Sequence, residues 1–101
     1  MARRRAIQSL TVMIKPDGGI VTVVGRDAWA LQQLLDAGEN GCTPLHNPAP
    51  RWSHYIFKLR QAGIVVETIH EDHGGPYAGT HGRYVLRSDI QVLRETSSEA
   101  A

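Results

Sequence analysis

Cysteine is almost absent from this chain. Cys42 is the only one, so no intrachain disulfide can form, which is consistent with a reducing compartment. Long apolar runs are also missing. None approaches the roughly 20 residues that span a bilayer, and no apolar block follows the basic start Met1-Ala2-Arg3-Arg4-Arg5 as it would in a signal peptide. The expectation is a soluble, cytoplasmic protein with no membrane partner. Phosphate-loop chemistry is missing too: neither Gly18-Gly19 nor Gly74-Gly75 has the P-loop lysine pattern. No local pattern marks Cys42 as a nucleophile. An enzyme is therefore not expected, and no small-molecule cofactor is evident.

A strong excess of charge is lacking as well. Eleven basic and ten acidic residues leave a net charge of +1. The distribution says more than the sum. Residues 1–16 carry Arg3, Arg4, Arg5 and Lys15 with no acid, and residues 40–63 carry Arg51, Lys58 and Arg60 with none. Acids gather at Asp36 and Glu39, and at Glu67, Glu71 and Asp72. A near-neutral chain with local basic patches can bind phosphates where those patches share a face. Otherwise they are ordinary solvated charges.

The 101 residues make one domain, long enough to bury a core without disulfides or metals. Leu10, Val12 and Ile14 alternate with Thr11 and Met13, the period of a half-buried strand. Lys15-Pro16-Asp17-Gly18-Gly19 is turn chemistry, and Ile20 to Val24 returns as a second strand. A helix is expected from Asp27, as its cap, to Ala37, with Gly38 as its stop. Ala28, Leu31, Leu34 and Leu35 form its apolar stripe. Trp29 lies off that stripe and needs cover, from the N-terminal hairpin first and a partner subunit second.

Gly41-Cys42-Thr43 predicts a very short strand. Thr43 then caps a helical turn with Pro44 at its first position, and Asn47-Pro48-Ala49-Pro50 stops that turn. A further helix is predicted from Pro50 or Arg51 to Gly63. Trp52, Tyr55, Ile56, Leu59 and Ala62 share its apolar face, and Arg51, Ser53, His54, Phe57, Lys58 and Gln61 share the other. Two strands, 64–70 and 83–88, flank a glycine-rich tip. Asp89 to Leu93 closes the domain as a short strand or turn, and Glu95 to Ala101 is small, polar and expected to fray.

Helix, strand, long tip and strand form the back half of a winged helix. At the junction the residues themselves are distinctive. Leu59-Arg60-x-x-Gly63, then Ile64-Val65-Val66-Glu67-Thr68, then Arg83-Tyr84-Val85-Leu86 resembles a family of small bacterial and phage-associated winged helix-turn-helix domains, over about residues 25–88. The resemblance implies an α+β fold, a three-helix core with a short middle helix and a β-hairpin wing, to which an N-terminal β-hairpin is added here. From the residues, the expected organisation is a basic arm over 1–7, one domain over 8–93 and a flexible tail over 94–101. Within the domain, 8–24 is the hairpin, 25–63 the helical part and 64–88 the wing. The implied ligand is double-stranded DNA. Two departures stand out: the middle helix is short and proline-bounded, and the added hairpin removes the function if it covers the DNA face.

The candidate contacts follow from docking geometry. The N-terminal half of a recognition helix reaches base edges, which points to Arg51, Ser53 and His54. Lys58, one turn on, suits a phosphate. Phe57 either meets a thymine methyl group or seals against neighbouring loops, the commoner fate of an aromatic. In the wing, Thr80, His81 and Arg83 are candidates for phosphate or minor-groove contacts, against a plain mobile hairpin. Arg3, Arg4 and Arg5 either enter a minor groove or form a solubilising tail. His70, His73 and His81, beside Glu71 and Asp72, have no zinc-protease spacing, and Cys42 with His46 has no second pair nearby, so no metal site is expected. Two functions stand side by side: a small transcriptional regulator, and a winged-helix module that binds protein, as a homodimer or adaptor. The directions of Glu67, Glu71 and Asp72 discriminate between them.

Overall fold

The computed structural model describes residues 5–16, 18–44, 51–75 and 79–99. The chain opens as strand β1 (Arg5–Lys15), turns, and returns as β2 (Gly19–Val24). In the turn the Gly18 N–H donates to the Ile14 carbonyl at 2.9 Å, and Gly18 takes a φ of +75° that suits glycine. The expected hairpin is thus present, and its alternation holds. Leu10, Val12 and Val23 are buried on one face. On the other face the Thr11 and Thr22 hydroxyls meet at 2.9 Å.

The C-terminal end departs from expectation. It does not stop at a short element near Leu93 with a tail from residue 94. Strand β5 runs from Asp89 to Glu99. It pairs antiparallel with β1 over that whole length, from Lys15 opposite Asp89 to Arg5 opposite Glu99, with two register shifts. The arm expected over residues 1–7 is likewise strand from Arg5 onward; Arg3 and Arg4 lie outside the described residues. A polar Thr-Ser-Ser run reads as a frayed end when seen alone. Here each strand satisfies the other's backbone groups, and the Ser9 and Thr96 hydroxyls meet at 2.6 Å. The result is a three-stranded sheet in the order β2-β1-β5.

Helix α1 (Gly25–Ala37) packs across the apolar face of this sheet. Ala28, Ala30, Leu31 and Leu34 are buried. Asp27 does not cap the helix as expected. The helix starts two residues earlier, after extended Val24, with no side-chain cap, and Asp27 lies in the first turn. There its carboxylate still faces the positive end of the helix dipole. Gly38 ends the helix as expected, at φ +57°, with its N–H donating to the Leu34 carbonyl.

A 3-10 turn, Gly38–Asn40, leads to Gly41 and Cys42. The predicted short strand is realised as a single bridge. The Cys42 N–H donates to the Tyr84 carbonyl at 2.9 Å, and the Tyr84 N–H donates back at 2.8 Å. Thr43 is buried and Pro44 lies in a turn. Residues 45–50, where the short middle helix was expected, lie outside the described residues. Those described contain two α-helices, so they do not contain the three-helix core implied by the resemblance.

Helix α2 (Trp52–Gln61) follows Arg51, which sits at φ 70°. Trp52, Tyr55, Ile56 and Leu59 form its buried face, as their spacing predicts. Its C-terminus explains the Leu59-Arg60-x-x-Gly63 pattern. The Ile64 N–H donates to the Leu59 carbonyl at 3.1 Å and the Gly63 N–H to the Arg60 carbonyl at 3.0 Å. Gly63, at φ +94°, makes the reversal. This is a Schellman ending, closed by the buried pair Leu59 and Ile64. Arg60 then reaches forward. Its Nε and Nη2 donate to the Val66 carbonyl at 3.2 and 2.7 Å, and Nη2 also donates to the Thr68 hydroxyl at 2.9 Å. The motif fixes the angle between helix and wing.

The wing is the antiparallel pair β3 (Val66–His73) and β4 (Gly79–Leu86). The core lies between the three-stranded sheet, α1, α2 and the wing base. Its fully buried members include Leu10, Val12, Leu31, Leu34, Ile56, Leu59 and Ile64. Among the described residues no helix is long and apolar enough to cross a membrane.

Candidate nucleic-acid interface

Helix α2 buries one face in the core and presents the other to solvent. Arg51, Ser53, His54, Phe57, Lys58 and Gln61 are all exposed. No acid occurs anywhere in Trp52–Gln61. The N-terminal hairpin does not cover this surface, because its apolar face is occupied by α1. Three candidates, Ser53, His54 and Lys58, therefore share one open helix, and Arg51 directly precedes it. Phe57 does not seal against a loop, the fate favoured by its residue type. It is 55% exposed, in the middle of the polar face.

Behind the first half of α2 lies an aromatic cluster. Trp29 meets Trp52 at 5.3 Å between ring centroids and Tyr55 at 6.4 Å, edge-on. Trp52 stacks on Tyr84 of β4 at 5.9 Å and 25°. The ring neighbours of Trp29 thus come from α2. A tryptophan off the stripe of one helix found cover on the next, which the helical wheel of α1 alone does not reveal. The guanidinium carbon of Arg26 sits 4.1 Å from the Trp29 ring centroid. Arg26 was not among the sequence candidates. Its three-residue spacing from Trp29, which places the two side chains together on a helix, was the available signal.

The wing residues are placed differently. Arg83 Nε donates to Glu71 Oε2 at 2.8 Å, and Arg83 Nη1 donates to the Asn40 carbonyl at 2.7 Å. His81 Nε2 lies 3.1 Å from Glu71 Oε1. The Arg83 guanidinium, with His81 adding to it, holds the Glu71 carboxyl below its ordinary value of 4.5. In return, the hydrogen bond to Glu71 raises the Arg83 guanidinium above its usual range. Arg83 thus joins the wing to the turn before Cys42, and His81 joins β4 to β3 within the wing. Thr80 stays exposed near the tip. Tyr77 and its neighbours at 76–78 lie outside the described residues.

Glu67 pairs with Arg87 at 2.7 Å. Strand alternation puts Glu67 and Glu71 on the face of β3 opposite Val66 and Thr68, the residues turned toward α2. Two of the three discriminating acids therefore do not share the open face of α2, and both are paired. Asp72, near the tip, is on the Thr68 side.

Cys42 is fully buried, and burial, with Asp36 adding to it, pushes its thiol up to about 11. It stays protonated at neutral pH, so it offers no thiolate. Among the described residues, no three histidine, cysteine or acidic side chains gather at metal-binding distance. His46 of the Cys42 pair lies outside them.

No curated protein and no solved structure matches the chain significantly. A family model described as "Winged helix domain" matches residues 20–96. That span takes in β2, both helices, the wing and most of β5. The chain therefore belongs to the winged helix domain family.

Proposed function

We propose that this domain binds double-stranded DNA without catalysis, with α2 in the major groove and the wing against the backbone or minor groove, and that it acts in the cytoplasm as a small transcriptional regulator. One observation carries the reading: an open helix face bearing Ser53, His54 and Lys58, preceded by exposed Arg51, with no acid on the helix. Phosphate neutralisation would supply most of the affinity, and Arg51 and His54 the base readout. In the wing, Thr80 is the exposed candidate. His81 and Arg83 act in this reading by holding the wing in place, through Glu71.

The test separates readout from attraction. Arg51→Ala and His54→Ala should each relax base preference at one position and cost about 1–3 kcal/mol there. Lys58→Ala should weaken all sequences alike. Unchanged DNA binding in all three variants rejects α2 as the reading helix.

A second reading is a protein-interaction module. The 55% exposure of Phe57 favours it, together with Ile20 and Val24 at 59% and 61% on edge strand β2. Edge strands can pair with a second copy and form a homodimer. Oligomeric mass at low salt without DNA, and loss of that mass in Phe57→Ala or Val24→Lys, would support this reading against the first.

A further inference from the structure

Among the arginines of the described surface, several are held by bonds within the protein. Arg60, Arg83 and Arg87 donate to carbonyls, carboxylates or a hydroxyl within the protein. Arg26 has no acidic partner among the described residues, yet it is not loose. Its guanidinium carbon is 4.1 Å from the Trp29 centroid and 5.7 Å from that of Tyr55, and its Nε points to the Tyr55 hydroxyl at 3.5 Å.

We propose that Arg26 is a pre-positioned phosphate contact flanking α2, a part of the interface that the recognition helix does not supply. The inference rests on the DNA-binding reading above. An aromatic ring holds a guanidinium by its flat face. The N–H donors point outward in the plane, so the stack leaves the edge able to grip a phosphate with two parallel hydrogen bonds. A free surface arginine loses rotamer freedom when it binds. Arg26 has already lost much of it on folding, against Trp29 and Tyr55.

Its position fits one kind of group. Tyr55 belongs to the first half of α2, and Trp29 also touches Trp52 at the start of that helix. The guanidinium therefore lies beside the half of α2 that meets base edges when a recognition helix docks. A cation at that flank meets the sugar-phosphate strand that borders the groove. Arg26 would therefore add affinity without sequence preference.

The experiment compares wild type, Arg26→Gln and Arg26→Lys on random-sequence duplex DNA, by fluorescence anisotropy across a salt series, with thermal unfolding confirming that each is folded. Arg26→Gln should lower the steepness of log K against log salt by about 0.9. It should also weaken binding about tenfold, equally for every sequence. Arg26→Lys should keep the slope and bind more weakly than wild type, because an ammonium has no flat fork. Wild-type affinity and slope in folded Arg26→Gln overturn the proposal and leave the DNA reading standing. A changed sequence preference also overturns it, since Arg26 would then touch a base. Absence of wild-type binding at low salt removes both.

Discussion

Replacing Gly41 by alanine should loosen the wing from the helical part. Gly41 sits at φ 68° and ψ −176°, a region that is almost reserved for glycine. A Cβ there would lie 2.5 Å from the Tyr84 carbonyl oxygen and 2.9 Å from Val85 Cγ2. The carbonyl cannot swing aside, because it accepts the Cys42 N–H in the bridge that ties residues 41–43 to β4. Gly38 gives the control. It has a similar φ of +57°, but an added Cβ meets nothing within 4 Å. Gly38→Ala should therefore cost only the backbone strain, about 1–3 kcal/mol. Gly41→Ala carries that strain plus an overpacking cost of about 1–3 kcal/mol. The extra destabilisation should appear as a midpoint roughly 4–8 °C lower for each kcal/mol. Urea and thermal unfolding of the two variants, monitored by far-UV circular dichroism, would measure the difference. Equal stability of the two variants would refute the claim that the Cys42–Tyr84 bridge is sterically closed to a side chain.

Arg60→Ala should cost about 1 kcal/mol, since a partly exposed arginine loses its bonds to the Val66 carbonyl and Thr68; urea unfolding checks this, and an unchanged midpoint would show that the Schellman turn alone sets the wing. Glu71 has a folded-state pKa below its ordinary value of 4.5, with Arg83 the main cause. Its stabilising contribution is therefore present above that value and is lost as pH falls through the lower folded value. A pH series of unfolding should show wild type and Glu71→Gln converging below about pH 4.5, and a gap that persists into strong acid would contradict the pairing. Phe57→Ala should change stability by less than about 1 kcal/mol because the ring is largely exposed. If Phe57 meets a thymine methyl, replacing thymine by uracil in the duplex should weaken wild type and leave Phe57→Ala indifferent. Equal sensitivity in both would remove Phe57 from the interface.

What the sequence revealed was local. The period of Trp52, Tyr55, Ile56 and Leu59 located α2 and its open face. The alternation Leu10, Val12, Ile14 with the Pro16–Gly19 turn located the hairpin. Gly38 and Gly63 marked helix ends because each reversal needs positive φ. What escaped depends on partners distant in the chain. β5 looks like a frayed tail because Thr96 and Ser97 carry no apolar signal, and only pairing with β1 makes them strand. Glu71 reaches Arg83 and His81 through a register that no single segment encodes. Without it, Arg83 and His81 read as wing candidates with no sign of the carboxylate they share. The cover over Trp29 required knowing how α1 and α2 cross.

The most direct test of the DNA-binding account is anisotropy of the wild-type protein with random duplex DNA across a salt series. The open basic face of α2 predicts binding at low salt with a steep negative slope of log K against log salt. A folded protein that binds no duplex at low salt would contradict the account and leave the exposed Phe57 as the place to look for a protein partner.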